Sequence, residues 1–164
     1  SLGALSRSDA TTEEIIDDFV RKMNYKAAEL DLKNTYFWNE TGLDESEIKG
    51  GAYGTARDIT ALMEYITAYY PVLLEATRQE SATLESLDNY SHTATNTNDL
   101  VGVIPGLLGS KTGFTDTAGG NLTFAFDPEL GRPIIITILG STEQGRFDDA
   151  YKLVVATLQY LKGE

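Results

Sequence analysis

The sequence predicts an α+β fold: a helical half, then an antiparallel sheet of about three strands, closed by a C-terminal covering helix. Three observations carry the prediction. Ile15, Ile16, Phe19, Val20, Met23, Ala27 and Leu30 recur at helical spacing. From Leu100 the rhythm changes to strands, with alternating and β-branched runs at 119–126 and 133–139. Phe147, Ala150, Tyr151, Val154, Val155, Leu158 and Leu161 then form a last helical stripe.

The elements follow in order. Thr11 and Glu14 form a capping box for a helix over about 12–30, with acids in its first turn to suit the dipole. Residues 35–38 are short, aromatic and extended, and Trp38 is assigned to the core. A loop rich in Gly, Asp and Glu runs to Tyr53. It holds a formal S-x-x-K, Ser46 to Lys49. Nucleophilic use of that pattern needs both side chains on one buried helical turn. Flanked by Asp44, Glu45, Glu47 and glycines, it reads as chance. Thr55 caps a second helix over 56–70, with Ile59, Leu62, Met63, Ile66 and Tyr70 as its apolar stripe. Pro71 stops it or starts a short helix over 72–77.

Residues 79–100 are polar, some of them pairing as a short hairpin, and His92 among them is solvated or locally bonded. Strands follow at 107–112, 119–126 and 133–139, with turns at 127–132 and 140–145 and a helix over 146–161. The chain is one partial domain over 1–164, about 1–99 helical and 100–164 sheet plus helix. Three strands under one covering helix leave the apolar 133–139 with an exposed edge, which suggests missing strands.

Composition bounds the function. The 164 residues carry 41% hydrophobic and 23% charged residues, as in an ordinary globular domain. A net charge of −12 argues against nucleic acid and anionic membrane surfaces as partners. With no cysteine and one histidine, disulfides and thiolate metal sites are excluded, and a multi-histidine metal site has little room. No cofactor is expected, and no apolar run is long enough to span a membrane.

The chemistry centres on Lys111, Thr112 and Gly113. In an extended strand Lys111 and Gly113 face one way and Thr112 the other. A twist or bulge near Gly113 lets Thr112 also reach a groove at the strand edge. A phosphate loop is excluded, because Ser110 precedes Lys111 and residues 114–120 do not open a helix. A surface hairpin with a solvated lysine is the plain alternative. A cation and a hydroxyl at a strand edge suit an extended peptide with an anionic end.

Several blocks now resemble one family in order. Lys22-Met23-Asn24, Ala27 to Leu30 and Leu32 to Phe37 resemble its helix and L-x-N-T-x-F sequel. Thr41 to Asp44 and Gly54 to Ile59 resemble its G-L-D … S-T-A-R-D block. Asn96-Thr97-Asn98 stands at the expected distance before Lys111, Gly113 to Leu122 is the most specific piece, and Gly145-Arg146 opens the last helix. The chain thus resembles the D-alanyl-D-alanine carboxypeptidases, serine-type penicillin-binding proteins of low molecular mass. The resemblance implies a β-lactamase/transpeptidase-like fold whose N-terminal strands are missing here. It implies a serine in an S-x-x-K motif that attacks the D-Ala-D-Ala carbonyl, assisted by an S-x-N motif.

By the same resemblance, Lys111 is catalytic, supplying positive potential and aiding proton relay. Thr112 bonds the terminal carboxylate, Gly113 admits the ligand, and Arg146 supports carboxylate binding. A helix-start arginine paired with a nearby acid is the other reading of Arg146. Partners implied are the peptidoglycan D-Ala-D-Ala stem peptide, β-lactams and the chain's own missing N-terminal segment. The implied location is extracytoplasmic.

Two departures qualify the match. The S-x-x-K segment belongs upstream of the first helix, so the chain is expected to be inactive alone. Ser6 to Ala10 has the look of the S-x-N block with Ser8 for Asn, but spacing places that motif at or just before residue 1. A non-catalytic cell-wall peptide-binding or interaction module on the same scaffold is the alternative. A β-lactamase fits the block order less well.

Overall fold

The structure, a computed structural model, describes residues 11–128 and 131–163. The 6–10 block and part of the 127–132 turn therefore lie outside the described residues. Helix α1 spans Thr12–Glu29 and opens with the expected capping box of Thr11 and Glu14. Two short strands, β1 (Tyr36–Phe37) and β2 (Ala52–Tyr53), pair antiparallel. Helix α2 spans Ala56–Tyr69, its Asp58 N–H bonded to the Thr55 hydroxyl. Pro71 opens a 3-10 helix, Pro71–Arg78. A ribbon of β3 (Ser81–Glu85) and β4 (Ser91–Thr95) follows. Strands β5 (Leu107–Thr115), β6 (Gly119–Phe126) and β7 (Ile134–Ser141) form an antiparallel sheet in that order, and α3 spans Gly145–Lys162.

The pleat of β6 divides the core. Leu122, Phe124 and Phe126 pack against Phe147, Ala150 and Val154 of α3. Each such side chain, fully buried, stabilises the fold by about 1.5–3 kcal/mol. The opposite pleat sends Ala125 onto Met63 of α2 and Leu74 of the 3-10 helix. α3 covers one face of the sheet as expected, and α2 of the helical half packs on the other. Ile136 and Ile138 of β7 are accordingly buried. What remains open is the outer backbone edge of β7, which pairs with no other strand among the described residues.

The half expected to be helical also contains two ribbons. β3–β4 pairs Ala82 with Ala94, Thr83 with Thr93 and Leu84 with His92. Its period-two signal is short, Ala82 and Leu84 alternating with Ser81, Thr83 and Glu85, and it falls within the stretch expected to hold a short hairpin. Trp38 is the other correction: it is 45% exposed, not core. Alternation decides this, because half-buried Phe37 faces inward and forces Tyr36 and Trp38 outward. The β5 irregularity lies between Leu107 and Gly109 rather than near Gly113, so the strand pairs regularly from Gly109 to Thr115.

Candidate functional site at the edge of strand β5

Register fixes which way the motif faces. Lys111 pairs with Thr123, whose hydroxyl meets that of Thr137, and Thr137 in turn accepts from Thr60 of α2. Cross-strand partners share a face, so Lys111 stands on the α2 side. Thr112 pairs with Leu122, hence stands on the α3 side. The two side chains diverge across the sheet, as extended geometry requires.

They meet again at the edge. The Ser110 N–H donates to the Thr77 hydroxyl at 3.0 Å, away from β6. The alternation of an antiparallel strand then puts the backbone groups of Thr112 and Phe114 on the same outer edge. The Lys111 ammonium agrees with this: it folds along the edge and donates to the Thr112 carbonyl at 2.5 Å. Lys111 is exposed and pairs with no carboxylate among the described residues. A Cβ at Gly113 would meet nothing closer than Asn121 Cβ at 3.9 Å, so the space over that residue is open.

Two cavities flank the edge. One, about 580 Å³, is lined by Thr112, Gly113, Phe114 and Arg146, with Asp99 and Glu143 also on its wall. The other, about 260 Å³, is lined by Lys111, Thr112, Leu84, Asn96 and Ser110. Thr112 and Thr97 line both, and their hydroxyls bond at 2.6 Å. That bond is the partition between them. Sequence reasoning quoted Thr97 within a block but gave it no role. The available signal was its place between two asparagines, which build turns by bonding nearby backbone. Asn98, 3% exposed, bonds the Ser110 hydroxyl through Nδ2 and accepts the Leu100 N–H. Asn96 reaches the Thr77 and Gln79 carbonyls.

Arg146 is 5% exposed, in the first turn of α3. Both the helix dipole and burial disfavour a guanidinium there. It stacks on Phe147 and donates Nη1–H to the Gly113 carbonyl at 2.7 Å. Its Nε–H is buried without a partner, and no carboxylate of the described residues forms an ion pair with it. The pairing with a nearby acid is therefore not what the structure has. A buried cation without a carboxylate partner on a cavity wall suits a small anion, a carboxylate above all.

The loop motif does not join this site. Lys49 bonds Glu45 and sits 4.1 Å over the Trp38 ring, while Ser46 Oγ accepts the Ile48 N–H. Among the described residues no serine hydroxyl is bonded to a lysine amine. His92 is an exposed ribbon residue opposite Leu84, and no group of acids and histidines among the described residues forms a metal site.

Comparison with known proteins places this geometry. The family profile for D-alanyl-D-alanine carboxypeptidase matches residues 14–143. A D-alanyl-D-alanine carboxypeptidase of Bacillus subtilis is 34% identical over 138 residues, 84% of this chain and 34% of the relative. One of Streptomyces sp. K15 is 31% identical over 144 residues, 85% of this chain and 48% of the relative. Among solved structures, penicillin-binding protein D2 of Listeria monocytogenes with bound cefotaxime superposes with a TM-score of 0.70 at 32% identity, covering 83% of this chain and 53% of that one. An S216A mutant of the Streptomyces K15 DD-transpeptidase superposes at 0.77 and 27% identity, covering 94% and 59%. The chain thus spans between a third and a half of the length of these curated relatives.

Proposed function

The chain belongs to the D-alanyl-D-alanine carboxypeptidase family, and from that premise we propose that it forms the strand-edge side of a serine-type D-Ala-D-Ala carboxypeptidase site. The observation that carries this reading is the wall shared by Thr112 and Arg146, whose guanidinium pairs with no carboxylate among the described residues. A peptide laid along β5 pairs with the outward backbone groups of Thr112 and Phe114. To do so it displaces the Lys111 ammonium from the Thr112 carbonyl. The freed cation then stands beside the reacting carbonyl, lending positive potential and a proton route. The Thr112 hydroxyl and Arg146 hold the terminal carboxylate, and open space over Gly113 admits the backbone.

The acylating serine comes from the S-x-x-K segment of the whole protein. Hydrolysis transfers the acyl group from the peptide nitrogen to that serine oxygen, releasing D-alanine, and then to water. β-Lactams enter by the same edge, because they carry a carboxylate beside a reactive carbonyl. A substrate of this kind, the peptidoglycan stem peptide, puts the working protein outside the cytoplasmic membrane.

The test has two readouts on this chain. A fluorescent penicillin leaves it unlabelled, since the nucleophile is not supplied. Calorimetry with a peptide ending in D-Ala-D-Ala gives saturable binding that is abolished in Lys111→Ala and weakened in Thr112→Val. Covalent labelling of the chain alone, or binding indifferent to Lys111→Ala, overturns the proposal.

A further inference from the structure

The outward face of the β1–β2 ribbon is aromatic and lies apart from the β5 cavities. Tyr36 and Tyr53 are direct cross-strand partners, their rings stacked at 6.0 Å and 21°. Trp38 follows Tyr36 on the same face, edge-on at 4.7 Å. The three are 38%, 58% and 45% exposed. Single exposed aromatics need no explanation, but a contiguous set held in register does. Beside it, Tyr36 forms one wall of a depression of about 370 Å³ whose other walls include Asn24, Asp31, Lys33 and Thr35.

We propose that this face binds a neutral oligosaccharide. A pyranose ring has an apolar C–H face, which suits an exposed aromatic ring, and a rim of hydroxyls, which suits amide, carboxylate and ammonium groups. The ribbon supplies the first, and Asp31 and Lys33 of the Tyr36 depression supply the second, the Asn24 amide there being bonded to the Val20 and Phe37 backbone. Charge narrows the choice further. The adjoining loop carries Glu40, Asp44, Glu45 and Glu47, and the chain as a whole is at −12. Phosphate-bearing ligands and a second copy of this acidic chain are repelled, whereas an uncharged ligand is not. The Lys49 ammonium lies over the Trp38 ring and pairs with the Glu45 carboxylate. A dry protein interface would have to strip water from both, while a hydroxylated ligand hydrogen-bonds to them. The same loop is tied to the β5–β6 turn through Asp44, whose Oδ2 accepts the Thr117 N–H at 3.0 Å. The sugar face therefore sits on a segment anchored to the turn that follows Gly113.

Trp38 is the sole tryptophan, so its fluorescence reports this face directly. The full chain is titrated with chitotetraose and, separately, with cellotetraose, which distinguishes a requirement for N-acetyl groups from recognition of the ring alone. A saturable change in emission, half-complete on the order of 1 mM, is expected with at least one of them. Tyr36→Ala keeps the reporter and weakens that binding about fivefold or more, while circular dichroism verifies its fold. Lys111→Ala leaves the titration unchanged, which separates this face from the β5 edge. No response to either sugar, or a response indifferent to both Tyr36→Ala and Tyr53→Ala, overturns the proposal, whatever the peptide-binding experiment shows.

Discussion

Asn98→Ala tests how the β5 edge is held. The substitution removes two hydrogen bonds, Nδ2–H to Ser110 Oγ at 3.0 Å and the Leu100 N–H to Oδ1 at 3.1 Å. Each is worth about 1 kcal/mol, and leaving the buried Leu100 N–H unpaired adds about 1–3 kcal/mol. Ser110 Oγ retains only a long contact to the Thr77 carbonyl, 3.5 Å, and so recovers little. The expected loss is about 2–4 kcal/mol in all. Ser110→Ala should cost less, about 1–2 kcal/mol, because it orphans one amide hydrogen rather than a backbone donor. Urea unfolding of both single variants and the double variant closes a cycle. A coupling near 1 kcal/mol with an unchanged m-value is expected. Asn98→Ala should also free Thr97, its chain neighbour, from Thr112, so affinity for a D-Ala-D-Ala peptide falls beyond what Ser110→Ala causes. A loss under about 0.5 kcal/mol, or strictly additive single effects, would refute the argument that this amide positions the strand.

Two further perturbations probe the supports around the site. Burial of the Asp44 carboxylate works against its charged form, but the Thr117 N–H and the Thr117 and Thr115 hydroxyls outweigh it, and the pKa is lowered from 3.8. A lowered folded pKa means that the stabilisation is fully present above the ordinary value and is lost as pH falls through the folded one. Asp44→Asn should therefore lower Tm most at neutral pH and least near pH ~2; a difference that stays constant with pH counts against the tether. A methyl at Gly109 would lie 2.5 Å from Leu74 Cβ. Gly109→Ala should push the 3-10 helix off β5 at a cost of about 1–3 kcal/mol and speed exchange of the Ser110 amide; unchanged stability and exchange would show that the contact relaxes freely.

The large elements were legible because their signals are local and redundant. The stripe from Ile15 to Leu30 with its Thr11–Glu14 box marked α1, and the β-branched 133–139 run marked β7 to within a residue or two. What escaped was decided by tertiary context. Of the polar stretch 79–100 only a short hairpin was foreseeable, because the β3–β4 ribbon rests on the weak alternation of Ala82 and Leu84. Trp38 looked like core because large aromatics usually are, but a two-residue strand with Phe37 facing inward leaves it no other side. α2 on the second face of the sheet follows from packing between segments some 60–75 residues apart in sequence, such as Met63 on Ala125. At the site, Lys111, Thr112, Gly113 and Arg146 were named from residue type and resemblance, and the structure brings Thr112, Gly113 and Arg146 to one cavity wall with Lys111 on the edge beside it. Thr97 was missed because its partner Thr112 is fifteen residues away across a loop, a separation no short-range rule covers.

The supports of this edge are all internal to the chain. Ser110 is fixed by Thr77 and Asn98, Thr112 by Thr97, and Gly113 by Arg146. None of these bonds requires a nucleophile nearby. A recognition surface built in this way is already ordered before ligand arrives, and preorganisation reduces the entropy lost on binding. The one strained member is Arg146, a buried cation at the wrong end of a helix with a donor to spare. On the proposed reading, a carboxylate at the cavity wall beside Arg146 offsets that buried charge. On that same reading, carboxylate recognition and acylation are separable: the first rests on this segment's own hydrogen bonds, and the second on a serine brought to the same edge.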